Sequence, residues 1–479
     1  MQRYLRNPLL LQAVILFIAA LFLFWNSGTT DIYEWDEARN GVNAWNMYHN
    51  HDYVNNYYGG ELDTWTAKPP LLIWLITISY KIFGFNEFAL RLPAILGSFI
   101  FFIVLFRLVS MFQTHVTAFL TCIILLGCRA VAAHHVGRTG DYDSLLLLFL
   151  TCSVYFLCTY LYRQKLSGLY LAAVFTGLAF YAKGTAGFLY LPGIFLFLLF
   201  TRRLVPMLHS YHTYIAFGIM LSIIASWVVL VSLYGKTSAN SFYGTSNSLE
   251  ALFVHDTYKR LMVKDEHFYA LRDNFFFFHT IEVRMNMWHI LYYMALATGI
   301  VTLFRHRQHI RQIVFSEDNR FTLLSLCLSL PIILLLNFSE QPWEWYFTPV
   351  WAFVAFITAR WMIFAATKWR PLVYVWVALI LFNLVKHFMY INTEKQMLHK
   401  TLTRTNPAFQ TDYIVLLDNP RENLMLYTHF LGVGFHKATT DEELQQEKGR
   451  TAIIYTHRFD AAKFEKLQEF DEYTLARVR

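Results

Sequence analysis

Charge is what this 479-residue sequence has least of: Asp, Glu, Lys and Arg make up 15% of it, against roughly 25% in soluble domains. That shortage, beside 56% hydrophobic and 18% aromatic residues, excludes a disordered chain or an ordinary cytosolic one. Cysteine is scarce too. All five (Cys122, Cys128, Cys152, Cys158 and Cys327) fall inside apolar runs, without the paired spacing of a zinc site. Cys122 and Cys128, like Cys152 and Cys158, are six apart, which does not put them on one helix face, so all five read as small core residues. A glycine-rich phosphate loop, a long internal repeat and a low-complexity tract are all missing.

Long apolar runs are what the sequence has instead. A bilayer core needs roughly 20 apolar residues per helix. That rule predicts about eleven spans, at 9–25, 92–110, 115–134, 143–162, 168–183, 185–201, 213–234, 288–304, 321–338, 346–366 and 371–390. The expected fold class is an all-α polytopic membrane protein. A net charge of +7 could suggest nucleic acid, but the cations lie in short loops between apolar runs. This is the membrane-orientation pattern, and no nucleic-acid partner is expected.

Arg3 and Arg6 precede the first span, which reads as a retained anchor. An inside amino terminus sends Arg163, Lys165, Arg202, Arg203, Arg305, Arg307, Arg311, Arg320, Lys368 and Arg370 to the cytoplasmic loops, opposed there only by Glu317 and Asp318. Residues 26–91, 135–143, 235–287, 339–345 and the carboxyl-terminal region then fall outside. Residues 69–83, short and led by Pro69-Pro70, read as an interfacial helix.

Residues 1–392 form the expected membrane domain. Beyond 393 the pattern reads as a small extracytoplasmic α/β domain, 393–479: strand-like YIVLLD at 413–418, helical ENLMLYTHFLG, an acidic helix at DEELQQE, strand-like TAIIYTH and helical AAKFEKLQEF.

Polar chemistry gathers in the outer segments. Residues 34–39 read EWDEAR, and a helix there sets Asp36 and Arg39 on one face, where the guanidinium keeps the carboxylate ionised. Residues 138–144, RTGDYDS, bring Arg138, Asp141 and Asp143 to the same side, with Arg129 nearby as support. Lys183 ends a predicted span. His255, His267 and His279 recur every twelve residues but lack ligand pairs three to five apart, so no zinc is expected and the 235–287 loop reads as a lid.

The ordered set DEAR at 36–39, Trp65 and KPPL at 65–71, and FGFNEFALRLP at 83–93 resembles the amino-terminal signature of the GT-C polytopic glycosyltransferases. More narrowly, it resembles the protein O-mannosyltransferase and lipid A aminoarabinose transferase group, which takes sugars from polyprenyl-phosphate carriers. The resemblance implies Asp36 as catalytic base with Glu37 beside it, Lys68 as phosphate ligand and Asp143 as a second catalytic carboxylate, with Asp141 the weaker match. It also implies substrate-cavity roles for Lys183 and Tyr346, while Trp343 and Trp345 read as membrane-belt aromatics.

The implied activity is an inverting transfer of a hexosyl or pentosyl group to a lipid, glycan or protein acceptor at the outer face of the inner (plasma) membrane. Arg39, Lys68, Arg138 and Lys183 are the expected substrate-binding cations, and Lys68, Arg138 and Lys183 could neutralise a leaving phosphate without a metal cofactor. Two readings stand as alternatives. One is a divalent metal on the 141/143 carboxylates, as in oligosaccharyltransferases; the other is a transporter or flippase, which would carry its working charges near mid-membrane.

Overall fold

The computed structural model describes residues 7–63, 68–133, 135–237, 247–263, 275–340, 343–402, 411–417, 422–470 and 472–479. Trp65 and His267 lie outside these residues, as does Asp418. Within them, apolar sequence becomes helix, because a segment in lipid finds no water for its N–H and C=O groups and must bond to itself.

Seven helices among the described residues are long and apolar enough to cross a membrane: Glu87–Ser110, Asp143–Arg163, Leu166–Phe188, Tyr211–Tyr234, Arg320–Asn337, Glu344–Lys368 and Leu372–Asn392. The chain is an integral membrane protein. The other four expected spans also fall on helices. Pro8–Phe24, His115–Leu126 and Leu191–Phe200 are shorter, and Trp288–Arg305 carries His289, Tyr292 and Tyr293 among its apolar residues. Large rings such as Phe101, Phe321, Trp351 and Phe356 fill the core between the helices.

One expected span needs correction. The run at 115–134 is helical only to Leu126, where Gly127 caps it, and 128–133 and 135–142 are irregular, largely buried chain. Non-helical backbone is tolerated at membrane depth only where protein shields it and bonds to it. Here Gly137 N donates to Val131 O (2.9 Å), and the His387 ring meets Ala132 O (2.9 Å). Gly137 permits the fold: a Cβ there would come within 2.8 Å of Leu23, Ser98 and the Val131 carbonyl.

The interfacial helix is present as Leu71–Phe83, 13 residues long. At about 1.5 Å per residue it is too short to span. Leu72, Ile73, Ile76 and Tyr80 are buried, while Ile78, Ile82 and Phe83 stay exposed.

The carboxyl-terminal region is a five-stranded sheet ordered Gly434–Ala438, Tyr413–Leu417, Thr451–Tyr455, Tyr473–Val478, Phe464–Phe470. The first three strands run parallel and the last two antiparallel. The expected helix in AAKFEKLQEF is corrected to a strand. Its charged residues suggested a solvated helix, but pairing with the apolar Tyr473–Val478 strand overrides that local preference.

This sheet domain docks on the first loop. Leu426 of the Glu422–Leu431 helix packs against Gly41, where a Cβ would meet it at 2.4 Å. Ile32 N donates to Tyr427 Oη (3.2 Å), and Tyr473 Oη donates to Glu34 (3.3 Å).

Candidate active site

Trp35, at a left-handed φ of 65°, starts the Asp36–Asn50 helix and makes Asp36 and Glu37 its first two residues. Unsatisfied N–H groups favour carboxylates at that helix end. The two acids nevertheless fare differently. Glu37 is fully buried in a salt bridge with Arg91 (2.7 Å), and it also accepts from Tyr33 N (2.9 Å) and Gly140 N (3.0 Å). Arg91 completes the clasp through Ser27 O, Thr30 O and Asp31 O. Both oxygens of Glu37, expected to be catalytic, are thus committed to bonds within the protein.

The Asp36 side chain is 42% exposed, and its Oδ2 lies 4.0 Å from His135 Nδ1. The same nitrogen lies 3.6 Å from Asp141 Oδ2. His135 adopts φ 69°, donates its backbone N–H to Thr139 Oγ1, and stacks on Trp345 with centroids 3.8 Å apart. Thr139 in turn donates to Asp141. Burial, and then the neighbouring Asp36 carboxylate, push the Asp141 carboxyl well above the usual range.

Beside this cluster lies a cavity of about 180 Å³ whose polar lining includes Lys68, Asp143, Lys183, Asp256, Arg260 and Tyr346. Lys183 Nζ bridges both oxygens of Asp143 at 2.6 Å and lies 5.3 Å from the centre of the Tyr346 ring. Asp256, on the π-helix Ala251–Lys259, pairs with Arg260 (3.1 Å) and Lys68 (3.6 Å). Burial alone would raise the Asp256 carboxyl, but the cations Arg260, Lys68 and Lys183 hold it below the usual range. Arg260 also donates to Tyr346 Oη. Apolar Leu146, Leu189, Leu335 and Leu336 wall the rest of the space.

Of the residues expected from sequence, Asp36 and Asp141 meet at His135, while Lys68, Asp143, Lys183 and Tyr346 share the cavity. Two others lie elsewhere. Arg39 forms a bidentate pair with Asp63 (3.0 and 3.1 Å) and reaches Glu422 at 3.9 Å. Arg138 is buried against Glu394 (2.6 Å) and donates to Phe22 O. Both, expected as substrate ligands, are paired with carboxylates of the protein and lie outside the cavity lining. Arg129 lies over the Tyr390 ring, at 4.0 Å, and not by the carboxylates. Trp345, expected in the membrane belt, stacks on His135.

His135, Asp256 and Arg260 were not singled out from the sequence. The i,i+4 pairing of Asp256 with Arg260 was a usable signal; no local pattern marks His135.

The fold is similar to those of solved ArnT and oligosaccharyltransferase structures, and part of the chain matches a mannosyltransferase family model. Residues 67–230 match the family model described as dolichyl-phosphate-mannose-protein mannosyltransferase. The crystal structure of ArnT from Cupriavidus metallidurans bound to undecaprenyl phosphate aligns over 97% of both chains, with TM-score 0.68 at 14% identity. The oligosaccharyltransferase of Archaeoglobus fulgidus, in complex with Zn and sulfate, aligns over 89% of this chain and 62% of its own, with TM-score 0.53 at 12% identity. At such identities the likeness is one of fold. An uncharacterised protein of Aquifex aeolicus (strain VF5) is 25% identical over 59% of this chain, which spans about half (53%) of that relative's length.

Proposed function

We propose that this protein transfers a sugar from a polyprenyl-phosphate donor to an acceptor hydroxyl, with inversion at the anomeric carbon. The observation that carries this reading is the half-exposed Asp36 carboxylate beside an apolar-walled cavity where three cations face two carboxylates. That excess of one positive charge suits the single negative charge of a sugar phosphodiester.

Asp36 takes the proton of the incoming hydroxyl, and the oxygen attacks the anomeric carbon. The bond from that carbon to the phosphate oxygen breaks, and polyprenyl phosphate leaves with one further negative charge. Lys68, Arg260 and Lys183 offset that charge. Burial and the neighbouring Asp36 carboxylate raise the Asp141 carboxyl, which favours its protonated form. The ArnT likeness, to a protein bound to undecaprenyl phosphate, supports the donor class. The arginine-rich loops support an extracytoplasmic site and sheet domain at the inner (plasma) membrane.

The test is transfer of radiolabelled sugar from polyprenyl-phosphate donors in membranes, wild type against Asp36→Asn at equal folded expression. Retained transfer by the variant would remove Asp36 from the mechanism, and no transfer by wild type from any donor would favour a transporter.

A second reading has its own observation. Ligand atoms of Asp36, His135 and Asp141 lie within 4.8 Å of one another, a two-carboxylate, one-imidazole set suited to Mn²⁺ or Zn²⁺. An ion held there would polarise a substrate oxygen as a Lewis acid. Full activity in excess chelator would sink it.

A further inference from the structure

At the far end of the Asp143–Arg163 helix, roughly 30 Å from Asp143 at about 1.5 Å per residue, a second and larger cavity of about 510 Å³ opens. Tyr162 forms its floor, and Arg202, Arg203, Arg311 and Arg320 surround it. The guanidinium carbons of Arg203 and Arg320 lie 4.6 and 4.8 Å from the Tyr162 ring centre. Arg203 is further held by the Leu161 carbonyl. Arg202 has a left-handed φ of 57°, a conformation a side-chain-bearing residue seldom adopts. It and Arg311 are exposed and make no ion pair with any described residue.

The opposing acid is slight. Glu317 pairs with Arg320 at 3.1 Å, but its side chain is 87% exposed, so water screens the pair. Asp318 is the other acid of that loop. Orientation alone would scatter cations over separate loops. Here arginines from two loops distant in sequence converge on an aromatic contributed by a third element.

The rim is apolar: Leu199, Phe200 and Phe315 are 48%, 48% and 43% exposed. A planar guanidinium binds phosphate oxygens two at a time, and basic pockets between membrane helices suit lipid head groups. We infer that this cavity binds a phosphate group, presented by an anionic phospholipid whose chains lie along Leu199, Phe200 and Phe315. The inference stands independently of sugar transfer, because none of these residues belongs to the candidate active site.

The test uses the full chain in mild detergent, with bound lipid counted by native mass spectrometry after exposure to phosphatidylglycerol or phosphatidylcholine. Wild type is expected to retain phosphatidylglycerol preferentially, and Arg202→Gln/Arg311→Gln to lose roughly tenfold or more of that preference. Millimolar inorganic phosphate is a separate arm. Displacement of the lipid would show that phosphate alone suffices, and persistence would show that the apolar rim contributes.

Equal retention of the two lipids by wild type, or the same preference in the double variant, overturns the site. If the double variant does not fold, Arg311→Gln read against Arg305→Gln, an exposed arginine outside the cavity, decides in the same way.

Discussion

At one end of the Asp143–Arg163 helix the cations, buried (Arg91, Arg138) or half-buried (Lys183, Arg260), each have a carboxylate at hand: Lys183 on Asp143, Arg260 on Asp256, Arg91 on Glu37 and Arg138 on Glu394. At the other end four arginines line the cavity with Tyr162, and among the described residues only the exposed Glu317 is in salt-bridge contact with them. The difference follows from access to water. A charge sealed away from water is tolerable only when paired and hydrogen-bonded, whereas an arginine in an open cavity is stabilised by solvent until an anion arrives. Paired charges can also exchange partners, so a phosphate entering the first end competes with Asp256 for Lys68 and Arg260.

The sharpest way to break this contrast is Asp36→Asn, at a half-exposed acid of the paired end. It is expected to cut transfer by about 10²- to 10⁴-fold, read as labelled product per folded enzyme. If the loss is no greater than that of Asp141→Asn, the two carboxylates share the task and the proposed division of roles fails.

Glu37→Gln tests the buried side of the comparison against its solvated counterpart. With Arg91 left sealed and unpaired, about 3–5 kcal/mol of stability should be lost. Glu317→Gln at the other end should change it by no more than about 1 kcal/mol. Thermal unfolding in one detergent decides between them, and similar small shifts would show that the Glu37 clasp carries little.

Lys68→Met is expected to cost about 10²-fold in turnover with the folded state intact. A comparable loss from Arg39→Met, at unchanged unfolding temperature, would return Arg39 to the substrate site.

The smallest effect concerns pH. Because burial and Asp36 raise the Asp141 carboxyl above its unfolded value, the folded chain binds more protons than the unfolded one between those two values. The associated stability is therefore full below the unfolded value and lost as pH rises through the folded one. Asp141→Asn removes that decline. In chelator, its unfolding midpoint should vary less with pH, with a gain of roughly 2–4 °C over wild type on the alkaline side. An unchanged slope would mean that Asp141 does not titrate as described.

Much of this was legible along the chain because bilayer thickness imposes a length on every apolar run. Seven of the eleven expected spans are helices long and apolar enough to cross, the other four coincide at least in part with helices, and the short interfacial helix at Leu71–Phe83 was recognisable from its length and its paired prolines. The run ending at Leu126 misled because apolar composition is shared by a lipid-facing helix and by irregular chain sealed inside protein. The Phe464–Phe470 strand misled because its state depends on a partner, Tyr473–Val478.

Motif order marked the carboxylates at 36, 37, 141 and 143 and the lysines at 68 and 183, since each lies close in sequence to a recognisable neighbour. It could not divide their work. Asp36 and Glu37 are adjacent and chemically alike, and only the packing of Arg91 and Gly140 commits one to the protein and leaves the other open to substrate. His135 and Arg260 come to the site from 99 and 224 residues beyond Asp36. Sequence by itself thus determined a membrane-embedded helical fold and the chemical types at its outer loops, because hydrophobicity and length act locally. Tertiary structure alone decided which charges pair, which face water and which converge, because electrostatic partnership depends on distance in space and not along the chain.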